Sequence, residues 1–347
     1  MNLRRFAGPA LALALLAVLS AAGFSQEDGY KFRFSNFSLE FYGGYSRISP
    51  NDFDKHAQYE ESFIQFYWVD RLNYLHAIYG DNFLVTSTRT GDSVFQALKK
   101  AVPYGLRLRY QASPTLSLSL GVQFLEGTQL SNVGLMIDFQ DRRPDVTDNL
   151  KYRSFQYWNS GFATQAKAWM PEFGLHFGWN LSAVFRYEIS IAFAPMFIQC
   201  RTFTQSHAII TMADGYRTDS AFSEEIKGTG TGLSGELGMG LFIRPLKNAR
   251  LFVEGSYAFR AISELSGPGW NRASTADSNG INDEASASWT GQWLIQRAYD
   301  FRSWGNFASI RIQNRFGFAV GLVNNASGNF SPELSGLQVK AGVGFNF

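Results

Sequence analysis

Charged side chains recur at alternate positions inside otherwise apolar stretches: Glu40, Arg107, Arg109, Glu172, Glu188, Glu236, Arg244, Glu254, Arg260 and Lys340. Half are acids and half are bases. That balance suits burial as mutually neutralising pairs, because a lone buried charge is costly. His176 shares the parity of this set and is expected to join it as a polar core residue. The other histidines are weaker candidates for chemistry. His56 and Glu60 are four apart, a spacing that on a helix can share a metal ion or a proton. His76 reads as a packed neighbour of aromatics. His207, near Asp214, is the best placed for acid–base work, yet no catalytic motif surrounds it.

Two motif matches fail on context. Gly230-x-Gly232-x-x-Gly235 fits a dinucleotide fingerprint, but it runs from a loop into a strand rather than from a strand into a helix. Asp277, Asn279, Asn282, Asp283 and Glu284 offer oxygen ligands suited to calcium, but their spacing departs from the EF-hand loop and reads as a solvated turn. Cys200 is the single cysteine, so no intrachain disulfide forms, and it reads as a buried spectator. No catalytic residue, cofactor or metal is expected.

The elements that position the charged set show a period of two. Phe37, Leu39, Phe41, Gly43 and Tyr45 alternate with Ser38, Glu40, Tyr42 and Gly44. Tyr104–Tyr110 and Leu116–Phe124 repeat the pattern around a turn at Ser113-Pro114. Phe173–Trp179 and Tyr187–Phe193 follow, then Leu233–Ile243 and Leu251–Phe259, and lastly Leu337–Phe347. These are eight antiparallel strands. Their second face is Gly-, Ala- and Ser-rich, which suits a crowded interior, so the apolar face is expected to meet lipid. The links near 111–115, 180–186 and 245–248 are short. Those at about 47–102, 126–167, 200–231 and 262–335 are long. Strict alternation of short and long links is the rhythm of a transmembrane β-barrel, with short periplasmic turns and long extracellular loops. Residues 307–313 and 316–323 also alternate. They read as an excursion within the last loop, with an extra membrane hairpin and ten strands as the alternative.

The long loops differ from one another. Tyr59, Phe63, Phe66, Leu72, Leu75 and Tyr79 recur at helical spacing, which predicts a helix over 52–79 packed across the barrel mouth. A second short helix is predicted over 93–101, with Asp92 as its cap. Residues 264–290 are rich in Ser, Gly, Asn and Asp and read as solvated, mobile chain.

Composition agrees with export. Arg4 and Arg5 precede an apolar stretch, then Ser20-Ala21-Ala22-Gly23, which reads as a signal peptide over 1–25 with cleavage within 22–25. The barrel occupies 36–347. After the signal no apolar run is long enough for a spanning helix. The formal charge of +2 gives no reason to expect nucleic acid. Aromatic residues make up 16% of the chain, with 32 Phe and 15 Tyr, an enrichment that suits barrel walls.

The signal, the alternating strands, the loop rhythm and the terminal Leu337–Phe347 strand together resemble the OmpA/OmpX-type outer-membrane β-barrel domains. The resemblance implies a bacterial outer-membrane location with both barrel termini periplasmic, and contact with outer-membrane lipid and lipopolysaccharide. It also implies that Phe345 and Phe347 form an end signal read by barrel-assembly machinery. The long loops and the helical insertion depart from that group, and no cell-wall-binding domain is expected after Phe347. The resulting expectation is a non-enzymatic membrane protein, structural or binding an unknown extracellular ligand through its loops. A narrow pore or small-solute transport channel is the first alternative, and an outer-membrane hydrolase or lipid A-modifying enzyme the second.

Overall fold

The computed structural model describes residues 36–49, 53, 57, 83–92, 95–96, 98–141, 154–212, 215–246, 248–299, 306–312, 323–329 and 334–347. The signal segment and nearly all of the 52–79 stretch lie outside these residues. Twelve strands follow one another: β1 (Phe37–Ile48), β2 (Phe83–Gly91), β3 (Lys100–Gln111), β4 (Leu116–Asp141), β5 (Ser154–Asn180), β6 (Phe185–Met212), β7 (Arg217–Leu246), β8 (Ala249–Asp277), β9 (Asn282–Tyr299), β10 (Asn306–Ile312), β11 (Val323–Asn329) and β12 (Gly336–Asn346). Eight of them, β1, β3, β4, β5, β6, β7, β8 and β12, close an antiparallel ring. Closure is possible because the last strand pairs on one side with the first, Tyr42 opposite Gly342, and on the other with β8, Lys340 opposite Glu254. A closed ring leaves no unpaired edge in its wall.

Short turns join the strands at one end. Ser113 Oγ accepts the Leu116 amide at 3.0 Å, and Ser182 Oγ accepts the Phe185 amide at 3.0 Å. At the other end the strands run far beyond the ring. β2 takes the place of β3 beside the upper part of β4, from Gly91 opposite Val133 to Phe83 opposite Asp141. β9 likewise takes the place of β12 beside the upper part of β8. The stretches 126–141, 154–167, 200–212, 217–231 and 262–277, read from sequence as loops, are thus largely a tall continuation of the wall.

The reason is visible along β6. Its outward positions run Phe185, Tyr187, Ile189, Ile191, Phe193, Pro195, Phe197 and then Gln199, Arg201, Phe203, Gln205, His207. Its inward positions run Arg186, Glu188, Ser190, Ala192, Ala194, Met196, Ile198, Cys200. Up to about residue 197 the apolar face points out; the inward face turns apolar from Ala192 to Cys200 and is polar again, though buried, at Thr202 and Thr204, while the outward face above 197 is mostly polar. An apolar-outward pattern finds only the lower half. The β5–β6 ladder skips from Trp169–Phe197 to Phe173–Phe193, where Pro171 and Pro195 lack amide donors. Ser263 is the extra residue of a bulge between β7 and β8, and its hydroxyl donates to the Thr231 carbonyl at 2.9 Å.

Two further expectations are corrected. The helix over 93–101 is not formed: Phe95, Gln96, Leu98 and Lys99 have no regular structure, and Lys100 already pairs with Arg47 as the start of β3. Gln96 and Ser131 instead bond each other, the Gln96 amide donating to Ser131 Oγ at 2.9 Å. Of the helix expected over 52–79 only Phe53 and Ala57 are described, both in helical conformation, and the rest of that expectation lies outside the described residues; no complete helix stands among the described elements. The ten-strand alternative also falls. β10 and β11 both pair with β9, and neither enters the ring.

Candidate functional site

The lower interior is an ion-paired network built on parity. Glu40 lies at its centre, fully buried. Its carboxylate takes the guanidinium groups of Arg107, Arg109 and Arg250, the Arg109 contact being 3.2 Å. Arg107 Nη2 reaches on to Glu254 Oε2 at 2.9 Å, whose other oxygen accepts Ser190 Oγ at 2.7 Å. Arg109 bridges to Glu188, which also takes Arg186 Nε at 2.7 Å. His176 donates through Nε2 to Ser119 Oγ at 2.8 Å, which leaves Nδ1 as acceptor for Arg109 at 3.4 Å. Higher up, Lys340 Nζ meets Glu236 Oε1 at 2.5 Å, and buried Glu172 lies within electrostatic reach of both. Arg260 closes this tier, its Nη1 donating to the Leu334 carbonyl at 3.0 Å.

The structure therefore gathers Glu40, Arg107, Arg109, Glu172, His176, Glu188, Glu236, Glu254, Arg260 and Lys340 in one interior. Arg244 is the exception: it is half-buried beside the β7–β8 turn, outside every ion pair of the described residues. Two members escaped the sequence reading. Arg186 and Arg250 sit at strand ends, where a turn reading displaces them, yet each has the inward parity of Glu188 and Glu254. Aromatic rings complete the packing. Arg109 lies 4.9 Å from the Phe242 ring centre, Arg107 5.1 Å from Phe252, and Lys340 5.2 Å from Tyr42. Glycine makes room for the long side chains: a Cβ on Gly178 would stand 2.5 Å from Arg186 Nη2.

Above the network the lumen turns apolar. Met170, Met196, Ile198, Cys200, Ile226, Ile262, Leu265 and Trp293 pack into one cluster. Phe53, Ala57, Phe95 and Leu98, from the first long link, are buried within it. That link therefore contributes apolar side chains to the mouth.

Polar clusters lie outside, on the tall wall. His207 Nε2 stands 2.7 Å from Asp219 Oδ1, both about half exposed. The expected partner Asp214 is outside the described residues. Glu225 is buried beneath a set of donors, taking Trp270 Nε1 at 2.8 Å, Lys227 Nζ at 3.0 Å and Arg201 Nε. Burial opposes ionisation of Glu225, but the bonds from Trp270 and Lys227 and the Arg201 charge outweigh it and hold its pKa below the ordinary 4.5. Asp277, from the calcium-like run, is spent on its own turn: Oδ1 accepts the amides of Asn279 and Ile281 at 2.9 Å, and Oδ2 accepts Tyr216 at 2.8 Å.

The outer wall of the lower half is apolar throughout. Phe41, Leu106, Trp179, Phe193, Leu237, Met239, Val253 and Val339 are all exposed, while the charges are inside. This inversion defines the class: an inside-out, eight-stranded antiparallel barrel of the kind that spans a membrane. No family model matches the chain, and no curated protein matches it. Among solved structures it is similar to the outer membrane protein OprG of Pseudomonas aeruginosa, at 11% identity over 89% of this chain and 95% of that one, with a TM-score of 0.23. It is also similar to CarO of Acinetobacter baumannii, at 13% identity over 76% and 96%, TM-score 0.22. The outer membrane protease OmpT of Escherichia coli gives 9% identity over 90% and 95%, TM-score 0.21.

Proposed function

We propose that this chain is a bacterial outer-membrane protein whose barrel is closed, and which works through its tall extracellular wall as a non-enzymatic structural or surface-binding protein. One observation carries the reading. The lumen is filled twice over, by the Glu40-centred ion network below and by the Met196–Leu265 apolar cluster above. Among the described residues, two successive layers of buried side chains cross the lumen, which supports a closed barrel. The short turns then face the periplasm together with both barrel termini. Phe345 and Phe347, exposed on the lipid side, are available to the barrel-assembly machinery. The kinship with OmpA/OmpX-type domains rests on the strand number and this last strand. An extracellular ligand and lipopolysaccharide are the partners the outer surface would meet.

Fractionation tests the location. The full chain should appear in the outer-membrane fraction and migrate differently in gels with and without boiling. A soluble periplasmic protein would refute the reading. One contact favours the enzymatic alternative, the His207–Asp219 pair, since a carboxylate that orients a histidine is the pairing used in acid–base catalysis. Turnover of lipid or peptide by the protein, lost in His207→Ala, would establish that alternative and displace the non-enzymatic one.

A further inference from the structure

We propose that the lumen binds one small planar oxyanion, a short carboxylate, on the buried guanidinium of Arg260. Arg260 is 2% exposed. Its Nη1 is spent on the Leu334 carbonyl at 3.0 Å, but its Nε and Nη2 are buried without a hydrogen-bond partner. Those two nitrogens form one edge of the guanidinium plane, the edge that grips a carboxylate through two parallel bonds. Leaving buried donors unmade is costly, and here a full charge goes with them. The protein's own carboxylates do not fill the edge. Glu236 and Glu172 lie within electrostatic reach of Arg260, yet among the described residues neither is within ion-pair distance of it, and Glu236 is held by Lys340.

More free donors stand beside it. The Tyr42 phenol is also within electrostatic reach of Arg260. Tyr42 lies in the row of Gly342, while Arg260 lies above the Ala258–Gly336 pair, so the guanidinium turns toward the rows between them. In that interval Ser46, Gln338 and Ser256 form one inward row, side by side on β1, β12 and β8. All three are buried, and Ser46 Oγ, Gln338 Nε2 and Ser256 Oγ have no partner. Gln123 Nε2 donates to Gln338 Oε1 at 3.2 Å, so the amide nitrogen is the end left over. The row offers hydroxyl and amide donors to a ligand rich in acceptors. Ala101, Ser234 and Ala258 around it are small, which leaves room for a few atoms. Charge sets the valence. With Arg186 and Arg250 included, the described lumen buries six basic side chains and five carboxylates. One negative charge completes the set, and a divalent anion would overshoot it beside Glu236 and Glu172. A halide supplies the charge but has no pair of oxygens to span Nε and Nη2.

The test refolds the full chain into detergent micelles and uses radiolabelled sodium formate as the probe, with chloride holding the ionic strength constant. Equilibrium dialysis should find about one formate per chain in wild type, and at least about tenfold weaker binding in Arg260→Lys, which keeps the charge but loses the edge. Raising formate from about 1 mM to about 100 mM should raise the temperature of the wild-type boiled-to-unboiled gel transition by about 4 °C or more, and chloride should not substitute. Ser234→Asp sets a carboxylate opposite Arg260 in the β7–β8 ladder. It should raise the transition in chloride alone and abolish the response to formate, which keeps the test open if Arg260→Lys fails to fold. Equal binding by wild type and Arg260→Lys, an equal response to chloride, or undiminished formate uptake by Ser234→Asp would each overturn the site and assign the free edge of Arg260 to water. None of these outcomes touches the closed-barrel reading, which fails only on conductance.

Discussion

Glu40 shows what a single residue does in this barrel. Three guanidinium groups converge on a carboxylate with no access to water. Removing it leaves those cations short of a counter-charge in a low-dielectric interior. Glu40→Ala should destabilise the fold by about 3–5 kcal/mol, read as a lower temperature for the boiled-to-unboiled gel transition. An unchanged transition would mean that water, rather than Glu40, satisfies the arginines. Glu225 belongs to the outer wall and gives a pH dependence instead. Its folded pKa is depressed, so its contribution is fully present above the ordinary value of 4.5 and is lost as pH falls through the folded value. Amide protection factors in the β6–β7–β8 extension, with the intrinsic pH dependence of exchange divided out, should therefore fall on acidification below pH 4.5 in wild type, more steeply than in Glu225→Gln. Parity alone places the paired charges inside, because an inward position in a strand is a matter of counting. It misplaces Arg244 and overlooks Arg186 and Arg250, since at a strand end the count gives way to turn geometry. Which acid meets which base was not legible at all. Glu40 and Arg250 are 210 residues apart, and only barrel closure brings them together.

At the scale of the strand, the central feature is the reversal of polarity partway up. The lower half of β6 presents Phe193, 60% exposed, to lipid, and the upper half presents Gln205 to water. A charge should register the difference. Phe193→Arg should cost about 2–4 kcal/mol near the bilayer middle, and Gln205→Arg close to nothing. Urea unfolding in vesicles measures both, and equal effects would place the water boundary elsewhere. The same reversal explains why the membrane strands were readable in sequence and their continuations were not. Segments 200–212 and 217–231 keep a period of two, but with polar residues outward, as in any soluble sheet. Judged by their outward Ser, Thr, Gln and Arg they resemble loops. The segment 93–101 failed differently. Phe95 and Leu98 have helical spacing, but both are buried in the mouth cluster, where packing rather than backbone pattern decides their conformation.

For the molecule as a whole, one wall serves two solvents. In the lower half the apolar side faces lipid and the charges neutralise one another inside. In the upper half an apolar cluster enters the lumen and the mostly polar side points outward. The ring number, the direction of the strands and the alternation of short and long links were all legible from periodicity, because lipid imposes it on every strand at once. The height of the wall and the apolar filling of its upper lumen depend on residues from distant links, Phe53 and Phe95 sharing one buried cluster with Ile226 and Trp293, which periodicity does not encode. The sealed lumen is the central claim, and conductance tests it most directly. Purified full-length protein in a planar lipid bilayer should show no sustained unitary current at any applied voltage that the bilayer tolerates. Steady single-channel openings of uniform size would contradict it, and would mean that the two packed layers part to leave a water-filled pore.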